Sequence, residues 1–346
     1  MTTLSFKPPV LEVIDQETNT IPGTDIPTQT QTLKIEILNG ADKGKSIIFK
    51  NDYTQLSVGD ILYARHQTNH LDGREYWSVS DPYRLNVLFL LTVIFVILIF
   101  IFGGIQGVRG LASLIGSFVL IFYLLIPGIY GGYNAVLVSI GVASLIIVVG
   151  SYITHGCNRT TTSAVLGMII TVIITGLGAY YVVTTAHLSG YSSEESTFLN
   201  LNTHGAINMV GLLFGGVMIG LLGVLYDIAI GQAIAIEELF RSGKHLTRTQ
   251  VYGRGIRIGR EHIGALVKTL AIAYVGASLP LLLLIQGSDV GILFILNSEI
   301  FATEIVRILI GSIGLILAVP ITTLIASYML HGKIKESPET THQHRH

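Results

Sequence analysis

Two hydrophobic patterns follow one another along the chain and meet near residue 85. Between residues 31 and 84 the apolar positions come in short β-prone runs, "TLKIEIL", "KSIIFK", "DILYARH" and "EYWSVS", separated by "NGADKG", "SVGD" and "LDGR". Polar–apolar alternation bounded by Gly/Asp turns predicts half-buried strands. Their spacing predicts an antiparallel, β-barrel-like domain of SH3 or OB size over 31–84. Residues 1–30, rich in Thr and Pro, show no sustained period and predict a flexible N-terminal segment. They also lack the charged-then-apolar pattern of a secretory signal.

From residue 85 the apolar runs lengthen to about 20 residues, enough to cross a bilayer. Seven spans are predicted, at 85–102, 110–128, 134–153, 162–186, 206–236, 263–285 and 303–330, followed by a tail over 331–346. The predicted fold class is therefore an α-helical polytopic membrane protein, with about seven transmembrane helices over 85–330 and a small N-terminal β-barrel-like domain.

Composition agrees. Only 12% of the 346 residues are charged, about half the share usual in a soluble domain. The 38 glycines suit closely packed membrane helices. The single cysteine, Cys157, excludes an internal disulfide. Charge also orients the chain. Connections after spans 1, 3 and 5, with the tail, carry Arg109, Arg159, Arg241, Lys244, Arg248, Arg254, Arg257, Arg260, Lys333, Lys335 and Arg345, and the other connections carry no Lys or Arg. The positive-inside rule then puts the C-terminus in the cytoplasm and the β domain outside. Its export would need span 1 to act as a reverse anchor, or a hydrophobic segment upstream of this sequence.

Candidate chemistry centres on Asp227, inside "GLLGVLYDIAIGQAIAIEEL". Helical steps of three or four place Gly216, Gly220, Gly223, Asp227, Gly231, Ala235 and Glu238 on one face. Those small residues predict a helix-packing face, with Asp227 turned to protein as intramembrane acids generally are. Such an acid is either a proton or ion site or a structural hydrogen-bond acceptor. Lys268, in the next span, is a candidate partner, although snorkelling explains it equally well. At the other membrane face Glu304 and Arg307 are three residues apart on one helix face, as an intrahelical ion pair or an outer-end gate.

Other candidates are weaker. Positive-inside topology already accounts for the basic stretch 240–262, and no basic stripe with interleaved aromatics recommends nucleic acid. His155 and Cys157 alone make a poor metal site. No cofactor is called for and no catalytic residue is assigned. Intramembrane aspartyl proteases share "YD" within a helix, but they need a second aspartate to share a proton. No other Asp lies within the predicted spans, since Asp289 falls in an outer loop.

Three blocks, "GLLGVLYDIAIGQAIAIEEL", "GRGIRIGREHIGALVKTLAIAYVGASLPLLLL" and "EIVRILIGSIGLILAVPIT", with "DPYRLNVL" entering the first span, resemble the YibE/YibF family of bacterial multi-pass membrane proteins. The resemblance covers about residues 31–330. It implies a bacterial plasma membrane, a surrounding lipid bilayer, and a paralogous YibE/YibF partner or a homo-oligomer. It brings no established activity. A partial analogy, over about three helices, links Asp227 and the acidic Glu237 and Glu238 to the SecD/SecF and RND transporters, where an acid on a central helix carries protons. The leading expectation is a transporter or proton-coupled transport subunit with Asp227 as the protonatable site. The alternative is a non-transporting scaffold whose β domain binds an envelope partner.

Overall fold

A computed structural model describes residues 5–21, 23–38, 43–52, 54–68, 75–243, 245–286 and 290–332. The predicted tail from residue 333 onward lies outside these, as do Lys244 and Asp289. The chain divides into two compact units, residues 1–102 and 103–346.

Two three-stranded antiparallel sheets build the β domain of the first unit. One has the order β1 (Ser5–Phe6), β5 (Leu62–Thr68), β6 (Glu75–Pro82). The other joins β2 (Val10–Thr20), β3 (Pro27–Glu36) and β4 (Ser46–Asn51). Alternation in β3 sends Gln31, Leu33 and Ile35 inward, and the sheets share a core of Val10, Leu33, Ile35, Phe49, Leu56, Leu62 and Ala64.

Residues 10–20 are not the flexible segment expected from sequence. They pair with β3 from Val10↔Ile35 to Thr20↔Pro27. Only Val10 of this strand is buried, so the strand has no apolar face to show as alternation. Main-chain pairing and the β propensity of Val10, Val13, Ile14, Thr18 and Thr20 hold it.

The buried Gln31 ties down the loop before β5. Its Nε2 donates to Leu56 O at 3.1 Å, and its Oε1 accepts from Leu56 N at 2.8 Å. Gln31→Leu strands both Leu56 groups in the core, an expected loss of about 2–3 kcal/mol. The expected readout is hydrogen exchange at the Leu56 amide at least ~10-fold faster, since opening then costs that much less.

The rest is helical: α1 (Leu85–Leu120), a π-helical segment (Ile121–Leu125), α2 (Ile126–Tyr130), α3 (Ala135–His155), α4 (Arg159–Thr185), α5 (Glu194–Asn202), α6 (Met209–Ser242), α7 (Arg248–Ala277), α8 (Leu279–Gln286), α9 (Ile292–Asn297) and α10 (Glu299–Leu330). Polar residues in the short turns start the long helices. Asn134 accepts from Val136 N and Leu137 N, Asn158 from Thr161 N, and Asn208 from Gly211 N. Thr247 and Gln250 close a capping box on α7.

Among the described residues, five helical stretches are long and apolar enough to cross a membrane: Leu85–Tyr130, Ala135–His155, Arg159–Thr185, Met209–Ser242 and Glu299–Leu330. The first combines two runs that the sequence separates, and it breaks at Gly104, whose φ of 51° and ψ of −145° are not helical. The run expected at 263–285 is divided at Ser278 between α7 and α8. Pro280 has no N–H to donate and its ring crowds the preceding turn, so the helix ends and restarts there.

Helices α4, α6 and α10 pack on one another, with α3 against α4 and α6, and α7 against α6 and α10. The buried face of α6 is its large one: Phe214, Val217, Met218, Leu221, Leu225 and Ile228. Glycines on the neighbours receive it. A methyl added at Gly176 would come within 3.3 Å of Met218, and one at Gly314 within 2.8 Å of Leu221.

Candidate functional site

Since the large face of α6 packs inward, its small face turns outward. Gly216, Gly223, Asp227 and Gly231 are all exposed. A Cβ built on Gly216, Gly223 or Gly231 meets nothing within 4 Å; at Gly220 it meets the Tyr274 hydroxyl. Among the described residues the expected packing face is therefore uncovered at Gly223, Asp227 and Gly231, while Gly220 meets Tyr274 and Gly216 lines an apolar cleft with Leu125, Ile126 and Tyr130. The physical reason is that close packing needs a large side chain opposite a small one, and here α3, α4, α7 and α10 supply glycines or small residues to α6.

Asp227 has no hydrogen-bond, ion-pair or ring partner among the described residues. Lys268 does not reach it. It is exposed, and it points away from the α7 face that buries Val251, Gly255, Gly259 and Leu270. An acid at the centre of a spanning helix costs about 2.5–3.5 kcal/mol on insertion scales, so an open carboxyl here is an unfavourable arrangement for a lone chain in lipid.

Glu238 and Glu261 are likewise exposed, with no side-chain partner among the described residues, but Glu304 of α10 differs. Glu304 Oε1 lies 3.4 Å from Arg307 Nη1, both partly buried, and the guanidinium sits 5.7 Å from the Tyr274 ring centroid. Tyr274 in turn rests its hydroxyl against Gly220. The Glu304/Arg307 pair is thus linked through one aromatic ring to the open face of α6.

Three polar nodes went unseen in the sequence. Glu299 accepts from Ser189 N, Ser189 Oγ and Gly190 N at 2.8, 2.7 and 2.8 Å, clamping the turn after α4 to the start of α10. At the other end of the bundle Glu237 accepts from Thr160 Oγ1 and Arg241, each at 2.6 Å. With His155 and Asn158 it lines a shallow cleft of about 120 Å³. Between these ends, the buried Gln232 donates from Nε2 to Gly255 O and Thr323 Oγ1, both at 2.7 Å, joining α6, α7 and α10. An acid in the first turn of α10 was a visible signal for Glu299. Nothing local marked Gln232, whose partners lie far away in the chain.

Together these features set a carboxyl without a partner among the described residues on an open helix face. It stands beside a bundle in which Glu237, Glu299 and Glu304 are bonded, while the side chains of Glu238 and Glu261 are exposed and unpaired.

No curated protein and no solved structure matched the chain. Two family models did: YibE/F family N-terminal domain over residues 8–71, and YibE/F-like protein over residues 91–332. The first match begins at the strand region that sequence periodicity passed over, and the second takes in all the helices of the Asp227 face. The chain belongs to the YibE/F family.

Proposed function

We propose that this membrane protein is a proton-coupled subunit of a transport assembly, with Asp227 as the group that takes up and releases the proton. One observation carries the reading: among the described residues Asp227, in the middle of the apolar run of α6, is without a partner, whereas Glu237, Glu299 and Glu304 are each engaged and the unpaired Glu238 and Glu261 stand by the basic connection. A structural acid needs a donor; a proton carrier needs reach. Asp227 is exposed on the outward face of α6, whereas the polar side chains inside the bundle, such as Ser139, Thr175, Gln232 and Thr322, are buried. Proton movement at this carboxyl therefore takes place along the outward face of α6, at a boundary with another subunit. Tyr274 and the Glu304/Arg307 pair border that face two turns from Asp227, about 10 Å along the helix.

The proposal includes seven crossings. The stretch Leu85–Tyr130 has 46 residues, roughly 69 Å as helix, about twice the hydrocarbon thickness, so its break at Gly104 suits two passes. Helices α7 and α8 together supply the remaining pass. With the basic connections inside, the C-terminus is cytoplasmic and the β domain external.

The test is a pH jump on proteoliposomes adsorbed to a solid-supported membrane. Wild type is expected to give a transient protonation current, and Asp227→Asn to abolish it while keeping the helical fold by circular dichroism. An undiminished current in Asp227→Asn would remove the proton role from this residue.

A further inference from the structure

The open face of α6 has to be covered, and the covering surface can be argued from charge and depth. Asp227 and Lys268 are opposite charges on neighbouring antiparallel helices, both exposed, and neither has a partner among the described residues. Contacts between the two helices set their register. Gln232 lies beside Gly255 and Gly259, and Gly220 lies against Tyr274. Interpolating between these places Asp227 level with about residue 264 of α7. Lys268 is then offset from it by roughly one turn, about 5–6 Å along the axis. Each charge points away from its own bundle, so they do not meet within one chain.

A rotation about the membrane normal preserves depth. It is also the symmetry expected of identical copies sharing one topology. Such a rotation presents the α7 surface of one copy to the α6 surface of another with Asp227 and Lys268 close to the same level. The backbone at Gly216, Gly223 and Gly231 is open to close approach, because nothing stands within 4 Å of a Cβ there.

We infer that the Gly216–Gly223–Asp227–Gly231 face of α6 is the contact surface for a second copy of this chain, whose Lys268 faces Asp227. A two-fold interface satisfies both charges twice, since each copy gives one acid and one base. This deepens the reading above by naming what covers the proton site, and it rests on that reading's placement of α7 in the membrane. It does not require protons to move.

The experiment is disulfide cross-linking in native membranes, with Cys157→Ser as the background. Two differently tagged copies are co-expressed, one carrying Asp227→Cys and the other Lys268→Cys, and oxidised with copper phenanthroline. The expected product is a disulfide dimer bearing both tags. A control pair replacing Lys268→Cys with Leu166→Cys, exposed on α4, is expected to give none. Charge reversal supplies a second readout that does not depend on cysteine chemistry. Asp227→Lys and Lys268→Asp singly are expected to give monomers in mild detergent, and the double variant to restore the dimer.

The inference is overturned if the two thiols stay free, as shown by maleimide labelling, or link only between copies bearing the same tag or to a different protein. Cross-linking and proton current separate the two proposals. A wild-type current without the two-tag dimer keeps the proton role and removes the second copy; a dimer without a current does the reverse.

Discussion

Gly190→Ala is expected to destabilise the helical unit by roughly 3 kcal/mol or more, the largest effect of any single methyl we identify. Three costs coincide at this position. Its φ is +84°, a conformation that costs a residue with a Cβ about 1–2 kcal/mol. The added methyl would collide with the main-chain carbonyl of Met209 and come within 3.0 Å of Val210 N, and backbone cannot move aside as a flexible side chain can. The Gly190 amide also donates to Glu299 at 2.8 Å, so a shift that relieves the collision breaks a charge-assisted bond. Thermal unfolding in detergent measures the sum. A comparison with Glu299→Gln separates the terms, because Gln still accepts a hydrogen bond and leaves the backbone alone. The expected order is wild type, then Glu299→Gln, then Gly190→Ala. An alanine variant as stable as wild type would mean that the turn after α4 is not held against α6 as described.

Gln232→Ala is expected to cost about 2–4 kcal/mol, and Gln232→Leu about half of that. Gln232 is 2% exposed, and its amide bridges two other helices through Gly255 O and Thr323 Oγ1. Leucine keeps most of the side-chain volume and forfeits only the hydrogen bonds. Alanine also opens a cavity opposite Gly259, whose added Cβ would lie 3.0 Å from Gln232 Oε1. The ratio of the two losses therefore reports how much of the α6–α7–α10 junction is packing and how much is polar. Equal stability for all three side chains would show that the junction is held elsewhere.

How far these features could be read from sequence depended on whether solvent distinguishes the two sides of an element. In β3 water lies on one side, so the inward set Gln31, Leu33 and Ile35 stands out by alternation. In β2 water surrounds nearly the whole strand, and the signal vanishes. The membrane helices pose the opposite problem. Lipid is as apolar as a protein interior, so both faces of α6 look alike. The Gly216–Asp227 stripe was legible as a stripe, but its direction was not. The ion pair of Glu304 and Arg307 could be read because its members are three residues apart. Glu299 and Ser189 are separated by 110 residues, and Gln232 and Thr323 by 91; only the fold brings those together.

Carbodiimide labelling of the purified, membrane-reconstituted protein, mapped by mass spectrometry, tests most directly whether Asp227 is an available proton acceptor on the outward face of α6. The reagent needs a protonated, reachable carboxyl, and protonation releases Asp227 from the Lys268 of a second copy. The account predicts labelling at Asp227 that rises as pH falls from 9 to 5 and is absent in Asp227→Asn, with Glu304 and Glu299 left unmodified because their oxygens are already bonded. An Asp227 that stays unlabelled at every pH, in a protein whose Asp227→Asn variant melts earlier than wild type, would make the acid a structural partner and contradict the account.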